Sequence, residues 1–264
     1  MAQGEMGIVC YKEDFGSAIA QTLSDATEYR HGDVRLAAIS GNVAMDIVVD
    51  EPNGIATFSG AAGAVDGVAI YTLPFRPSTN GPIYVEAYWK PSTVTTYGFF
   101  FGFQETVSVA EPVNPFTLSG TTLTANNGGN VWGLYFDTTA TTDDVRAMIS
   151  LDGAATTTAV NDLTGSTFGA LGVRANATPT ADSWIYARVE LDPNGAGRAY
   201  YGDIGNDPQN SGPKLIAAVR AGAFDQAALV HPILIMVDPS TNDPLHHVDF
   251  FHAHGGRDWA YARP

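Results

Sequence analysis

Hydrophobic and polar residues alternate with a period of two along most of the chain beyond residue 43. In Pro82–Lys90, Ile83, Val85, Ala87 and Trp89 fall on one face, and Tyr84, Glu86, Tyr88 and Lys90 on the other. In Ser183–Leu191, Ile185, Ala187, Val189 and Leu191 alternate with Trp184, Tyr186, Arg188 and Glu190. Val145–Leu151 repeats the pattern with Val145, Ala147, Ile149 and Leu151. This is the signature of half-buried β-strands. Similar spacing predicts further strands near 43–49, 55–59, 67–73, 97–104, 131–136, 198–202, 215–220, 229–237 and 246–254. Turn signals separate them, among them Pro52-Asn53-Gly54, Asn80-Gly81-Pro82 and Asp192-Pro193-Asn194-Gly195. Helical spacing is confined to Ser17–Glu28, where Ile19 and Leu23 stand four apart, and to one turn at Phe224–Leu229. Many short strands with almost no helix predict an all-β sandwich or barrel. No repeat or linker divides the chain. The expectation is one β-sandwich or barrel domain over 43–264, preceded by an N-terminal arm over 1–42 with a short helix.

Composition sharpens this picture. The 264 residues suit one large all-β domain, able to bury roughly 70–75% of its unfolded surface without staples. With 13 basic and 28 acidic residues the formal charge is −15, which argues against partners that need a positive footprint. Nucleic acid and anionic membranes are therefore not expected. The acids are 20 Asp against 8 Glu, a bias toward turns over helices. A single cysteine, Cys10, cannot close an intramolecular disulfide. Residues 1–7 carry no basic segment leading into an apolar one, and no run of about 18 apolar residues occurs, so synthesis and folding in a cytoplasm are expected. Two stretches interrupt the alternation. Pro112–Phe136 has no charged residue, and Gly153–Asp182 is rich in Ala, Thr and Gly. They read either as hairpins over a sandwich edge or as contact surface for a partner or a glycan.

Candidate chemistry is sparse. In His246-His247-Val248-Asp249-Phe250-Phe251-His252-Ala253-His254, an unbroken strand puts His246, Val248, Phe250, His252 and His254 on one face. His252 and His254 would then lie about 7 Å apart, within reach of one metal ion, with His231 as a third ligand. Val248 and Phe250 share that face, however, and make packing the adopted reading. Asp46 and Asp50 share a strand face but stand roughly 13 Å apart, too far for paired-carboxylate hydrolysis. Asp143-Asp144, Asp203 with Asp207, and Asp238 with Asp243 could each lend oxygens to Ca²⁺, but turn formation accounts for all three. Asn176-Ala177-Thr178 matches a glycosylation sequon, which means little without a secretory signal. No nucleophile elbow or phosphate loop occurs. No catalytic, cofactor-binding or metal residue is assigned, and no cofactor is expected.

Three segments resemble the concanavalin A-like (laminin-G-like) jelly roll. The strand pair Ile83–Lys90 and Gly98–Phe103 is similar to an exposed acidic strand followed by an aromatic-glycine strand. Trp184–Gly195, followed by Ala199-Tyr200-Tyr201-Gly202-Asp203, resembles the family's W…V-x-L-D-x-x-G…Y-x-x-G hairpin. Val248-Asp249-Phe250-Phe251, then Gly256-Arg257-Asp258-Trp259, resembles its closing strand. Glu13-Asp14-Phe15, Gly133–Asp137 and the terminal phrase look like the laminin-G-like proteins of tailed-phage virions. The resemblance implies a jelly roll of two antiparallel sheets and a non-enzymatic structural role as a capsid decoration or head-fibre component, of which a capsid decoration protein on the virion surface is the adopted reading. Its partners would be the major capsid protein and further copies of the chain, as in a trimer. The alternative is a lectin-like carbohydrate-binding module, with Tyr84, Tyr88, Trp184 and Tyr186 offered to glycans. The Glu-x-Asp-x-x-Glu strand of glycoside hydrolases on this sandwich, and the metal-ligand loop of plant lectins, have no counterpart here.

Overall fold

A computed structural model of the chain describes residues 8–16, 20–24, 27–39, 41–47, 54–60, 66–107, 114–119, 122–126, 129–138, 145–151, 157–159, 168–174, 179–203, 213–238 and 245–256. Two antiparallel sheets face each other. In spatial order the first holds β18 (Lys214–Val219), β17 (Gly197–Asp203), β16 (Ile185–Leu191), β8 (Ile83–Pro91), β20 (Leu245–Gly256), β6 (Ala56–Gly60), β5 (Val43–Ile47) and β2 (Gln21–Leu23). Its ninth strand, β1 (Ile8–Glu13), pairs with the C-terminal half of β20, while β6 pairs with the N-terminal half. The second sheet has eight strands, in the order β15 (Phe168–Arg174), β13 (Val145–Ser150), β12 (Val131–Asp137), β9 (Gly98–Gln104), β19 (His231–Asp238), β7 (Asp66–Tyr71), β4 (Val34–Ile39) and β3 (Glu28–His31). A third, small sheet joins β10 (Phe116–Ser119), β11 (Thr122–Ala125) and β14 (Thr157–Ala159). The helix α1 spans only Pro77–Asn80. Among the described residues no helix is long and apolar enough to cross a membrane.

The core between the sheets follows from the alternation. On β8 the buried set is Ile83, Val85, Ala87, Trp89 and Pro91, with every intervening residue half-buried. Trp89 lies at the centre, 5.3 Å from Phe99 and 5.5 Å from Phe101 by ring centroid. Its indole N–H donates to the Tyr97 hydroxyl at 2.8 Å, which satisfies a buried donor inside an apolar layer. The β16–β17 turn behaves as its sequence suggests. Gly195 takes a φ of 76°, and its N–H donates to the Asp192 carbonyl at 3.0 Å. A Cβ there would also stand 2.4 Å from the Phe224 carbonyl oxygen, so glycine is required twice over.

The N-terminal segment differs from expectation. Its described part forms no arm and no helix: β1 and β2 join the first sheet, and β3 and β4 the second. Leu23, half of the supposed helical pair, is fully buried on β2 and paired with Val43. A short helix with two apolar anchors is marginal in water, whereas a strand edge offers ladder bonds and a core slot together. On β4, Val34, Leu36, Ala37 and Ala38 are buried, so alternation fails there because both faces are covered. Phe224–Leu229 forms turns, not helix.

Part of the uncharged stretch is also consumed internally. Phe116 on β10 packs edge-on against Phe100 and Tyr135 of the second sheet, at 6.0 and 5.7 Å. Of the two readings of Pro112–Phe136, this segment follows the hairpin reading.

Candidate functional site

The outer face of the nine-stranded sheet brings together side chains from four strands. Register builds it row by row. Tyr186, Tyr88 and Phe250 are cross-strand neighbours, as are Arg188, Glu86, His252 and Lys12, and then Glu190, Tyr84, His254 and Cys10. An aromatic row therefore runs beside a charged row. Trp184, just ahead of β16, stacks on Tyr88 at 4.6 Å with the rings 13° apart, and Lys90 lies over its ring at 5.4 Å. Phe250 stands 6.1 Å from Tyr88 and 6.2 Å from Tyr186. Arg188 caps Tyr84 at 4.0 Å. All four aromatics expected on an exposed face are found on this one.

Glu86 is the hub of the charged row. Its Oε2 accepts from the Tyr186 hydroxyl at 2.7 Å and from Arg188 Nη1 at 3.4 Å, while Oε1 meets His252 Nδ1 at 3.0 Å. The His252 hydrogen bond is the main reason that its carboxyl sits below the usual range, against the opposing effect of burial. Burial and Glu86 together push the Tyr84 and Tyr186 hydroxyls up, so both remain protonated donors. Arg188 also bonds Glu190 at 2.8 Å, and Arg198 bridges Glu190 and Asp192. Beside this network opens a depression of ≈ 370 Å³ lined by Lys12, Asp14, Glu86, Asp249, Phe250 and His252.

A β-bulge reorganises the histidines. The β20 register slips between Val248 and Phe250, which pair with the consecutive residues Trp89 and Tyr88. Before the bulge His246 and Val248 point into the core; after it Phe251 and Ala253 do so, while Phe250, His252 and His254 stay half-buried on the other face. The five residues expected on one face are thus split. His246 is 3% exposed, 5.3 Å from Tyr97, and neither ring nitrogen has a hydrogen-bond partner. Burial holds its pKa down at about 4, and it is a neutral core residue. His231, the supposed third ligand, belongs to the other sheet, where Nδ1 meets the Thr72 carbonyl at 2.9 Å. No group of three His, Cys, Asp or Glu able to hold a metal occurs among the described residues.

The acidic candidates separate likewise. Asp203 is buried and accepts from Ser183 Oγ at 2.7 Å and Thr180 N–H at 2.9 Å, a staple of its own loop. Asp46 is exposed on β5. Asp50, Asp143, Asp144, Asp207, Asp243, Asn176–Thr178 and Arg257–Trp259 lie outside the described residues, as does the side chain of Asp238. Sequence reasoning missed Phe250, Glu86, His252, Asp249 and Lys12 as a group. The adjacent aromatics Phe250-Phe251 were the one local hint of a bulge.

No protein-family model matches the chain, and no curated protein matches it in sequence. Solved structures do match its shape. A protein of unknown function from Shewanella oneidensis MR-1 aligns over 98% of this chain and 91% of its own, with a TM-score of 0.58 and 11% identity. The carbohydrate recognition domain of Emp47p aligns over 89% and 95%, with a TM-score of 0.50 and 11% identity. The exoplasmic/lumenal domain of VIP36, in a form bound to Ca²⁺ and Man2, aligns over 92% and 88%, with a TM-score of 0.50 and 7% identity. The fold is the lectin-like jelly roll. At such identities the likeness concerns the fold alone, and function has to be argued from the site.

Proposed function

We propose that the chain is a non-enzymatic carbohydrate-binding module whose binding surface is the outer face of the nine-stranded sheet. One observation carries the reading: Phe250 and the carboxylates of Glu86, Asp249 and Asp14 line the same depression. Sugar recognition needs this pairing. The C–H face of a pyranose ring stacks on an aromatic ring, and its hydroxyls donate to carboxylate oxygens that cannot themselves donate. A depression of ≈ 370 Å³ falls within the usual size of small-ligand sites. Three acids against Lys12 favour neutral glycans over sulfated or uronic ones. One stacked ring and a few exposed hydrogen bonds sustain roughly 4 kcal/mol, a roughly millimolar affinity. The carbohydrate recognition domain among the structures of similar shape supports the reading.

Titration of the full chain with neutral oligosaccharides, followed by calorimetry or chemical-shift changes, tests it. Phe250→Ala is expected to weaken binding about tenfold, the value of one stacked ring. A panel of neutral glycans that fails to bind at millimolar concentration sinks the reading.

The virion role is a second proposal: a capsid decoration protein bound to the major capsid protein and to further copies of itself. It rests on the resemblance of Glu13-Asp14-Phe15, Gly133–Asp137 and the terminal phrase. Location of the chain in purified particles by electron microscopy supports it, and absence from particles removes it.

A further inference from the structure

Cys10 is 242 residues from His252 in the chain, yet its Sγ lies 3.0 Å from His252 Nε2. The antiparallel pairing of β1 with β20 produces this contact by setting Cys10 opposite His254 and Lys12 opposite His252. The other ring nitrogen, Nδ1, is 3.0 Å from Glu86 Oε1. An ionised carboxylate only accepts, so Nδ1 carries the proton and Nε2 presents its lone pair to the thiol. Tyr84 fences the imidazole, edge-on to His252 at 5.6 Å and stacked on His254 at 4.8 Å. Nucleophile, base and orienting acid are thus in hydrogen-bond sequence, and Cys10 is exposed. His252 and Glu86 also line the ≈ 370 Å³ depression, which gives a reagent room beside the imidazole that serves the thiol.

We propose that Cys10 is a base-assisted thiol, served by His252 and positioned by Glu86, that exchanges with small cationic disulfides. Acyl transfer would need two donors converging on an oxyanion, and the amides of β20, flanked by β1 and β8, are spent in their ladders. Disulfide exchange needs no such donors. As Cys10 sulfur attacks one sulfur of the reagent, its proton passes to His252 Nε2. A new S–S bond forms to Cys10, the reagent's S–S bond breaks, and the departing thiolate takes the proton back from His252. Burial, and then Asp33, hold the thiol pKa up, so little thiolate exists at neutral pH and the base is required. Charged and titratable groups around the pair are Lys12 on β1, Asp33 in the β3–β4 turn, Tyr84 and Glu86 on β8, His254 on β20 and Arg188 on β16. With Asp14 and Asp249 in the depression, acids outnumber bases around it and select a cation.

The proposal does not depend on glycan binding, and its assay contains no sugar. Cys10 is the sole cysteine, so intact-mass spectrometry assigns every mixed disulfide to it. The full chain is treated with cystamine at neutral pH, folded and in denaturant. Faster modification of the folded chain is expected, together with a smaller folded-to-denatured rate ratio for the anionic 5,5′-dithiobis(2-nitrobenzoate). His252→Gln is expected to slow the cystamine reaction about tenfold. Glu86→Gln is expected to slow it severalfold, because an amide can donate as well as accept and no longer fixes the proton on Nδ1, and Glu86→Asp is expected to restore part of the rate. A folded chain that reacts with cystamine no faster than the denatured one overturns the proposal without any variant. So does a His252→Gln rate equal to that of the parent.

Discussion

The two outer faces of the sandwich are built from the same kind of strand and end up opposite in character. On the nine-stranded sheet, Tyr84, Glu86, Tyr88 and Lys90 alternate with buried residues and stay half-open. On the eight-stranded sheet, all seven residues of β9 are buried, as are all six of β13. Tyr71, Phe100, Tyr135, Ile233 and Ile235 form a second apolar cluster there, outside the main core, and Phe116 from the small third sheet packs into it. The difference teaches why function gathers on one side. A face that meets water keeps charged and aromatic groups free for a ligand, whereas a covered face spends its aromatics on cohesion.

The comparison can be broken at its covered side first. Phe116→Ala is expected to cost about 3 kcal/mol in chemical denaturation and to raise apolar-dye binding. A loss below about 1 kcal/mol would mean that the third sheet rests on the surface without sealing it. Next comes the residue that the bulge drives inward. His246 is neutral when folded, with a pKa of about 4 against 6.5 free. Between those values the unfolded chain binds a proton that the folded one refuses. Stability is therefore full above about pH 6.5 and falls as pH drops toward 4, by roughly 3 kcal/mol at most. His246→Phe should abolish that component and, by removing two unpartnered nitrogens, stabilise the chain at pH 7 by about 1 kcal/mol. Unchanged pH dependence in this variant would place His246 in water.

The smallest effect is expected on the open face. Glu86→Gln should cost about 1 kcal/mol at pH 7, since its partners keep hydrogen bonds and partial hydration. Because the Glu86 carboxyl is held below its ordinary pKa, its stabilisation is present above about pH 4.5 and fades as pH falls through the lowered value. Parent and variant should therefore converge in acid. A cost equal to that of Phe116→Ala would erase the distinction between the faces.

Legibility in the sequence tracks this same contrast. β8 and β16 were readable residue by residue, because one side of each meets solvent and the pattern survives. The Asp192–Gly195 turn was readable because only glycine tolerates a φ of 76° beside the Phe224 carbonyl. β4 was not, because Ala37 and Ala38 are buried against opposite layers. The small third sheet was hidden in Thr- and Asn-rich sequence that carries no strong period. Nor was the N-terminal strand legible as part of the body. Its end is held by Glu13, buried with its Oε1 3.7 Å from His31 Nε2, across the gap between the two sheets.

Local alternation determined which side chains of a strand travel together, because the pleat sends neighbours to opposite faces whatever surrounds them. It determined the four aromatics of the open face and the sandwich itself. Only the tertiary structure decided which strands stand side by side, and where a single extra residue at Asp249 reverses the alternation. It therefore decided that His246 is buried while His252 meets Glu86 and Cys10. Strand order and register minimise exposed apolar surface and unpaired backbone over the whole chain. No window of sequence around one residue contains that balance.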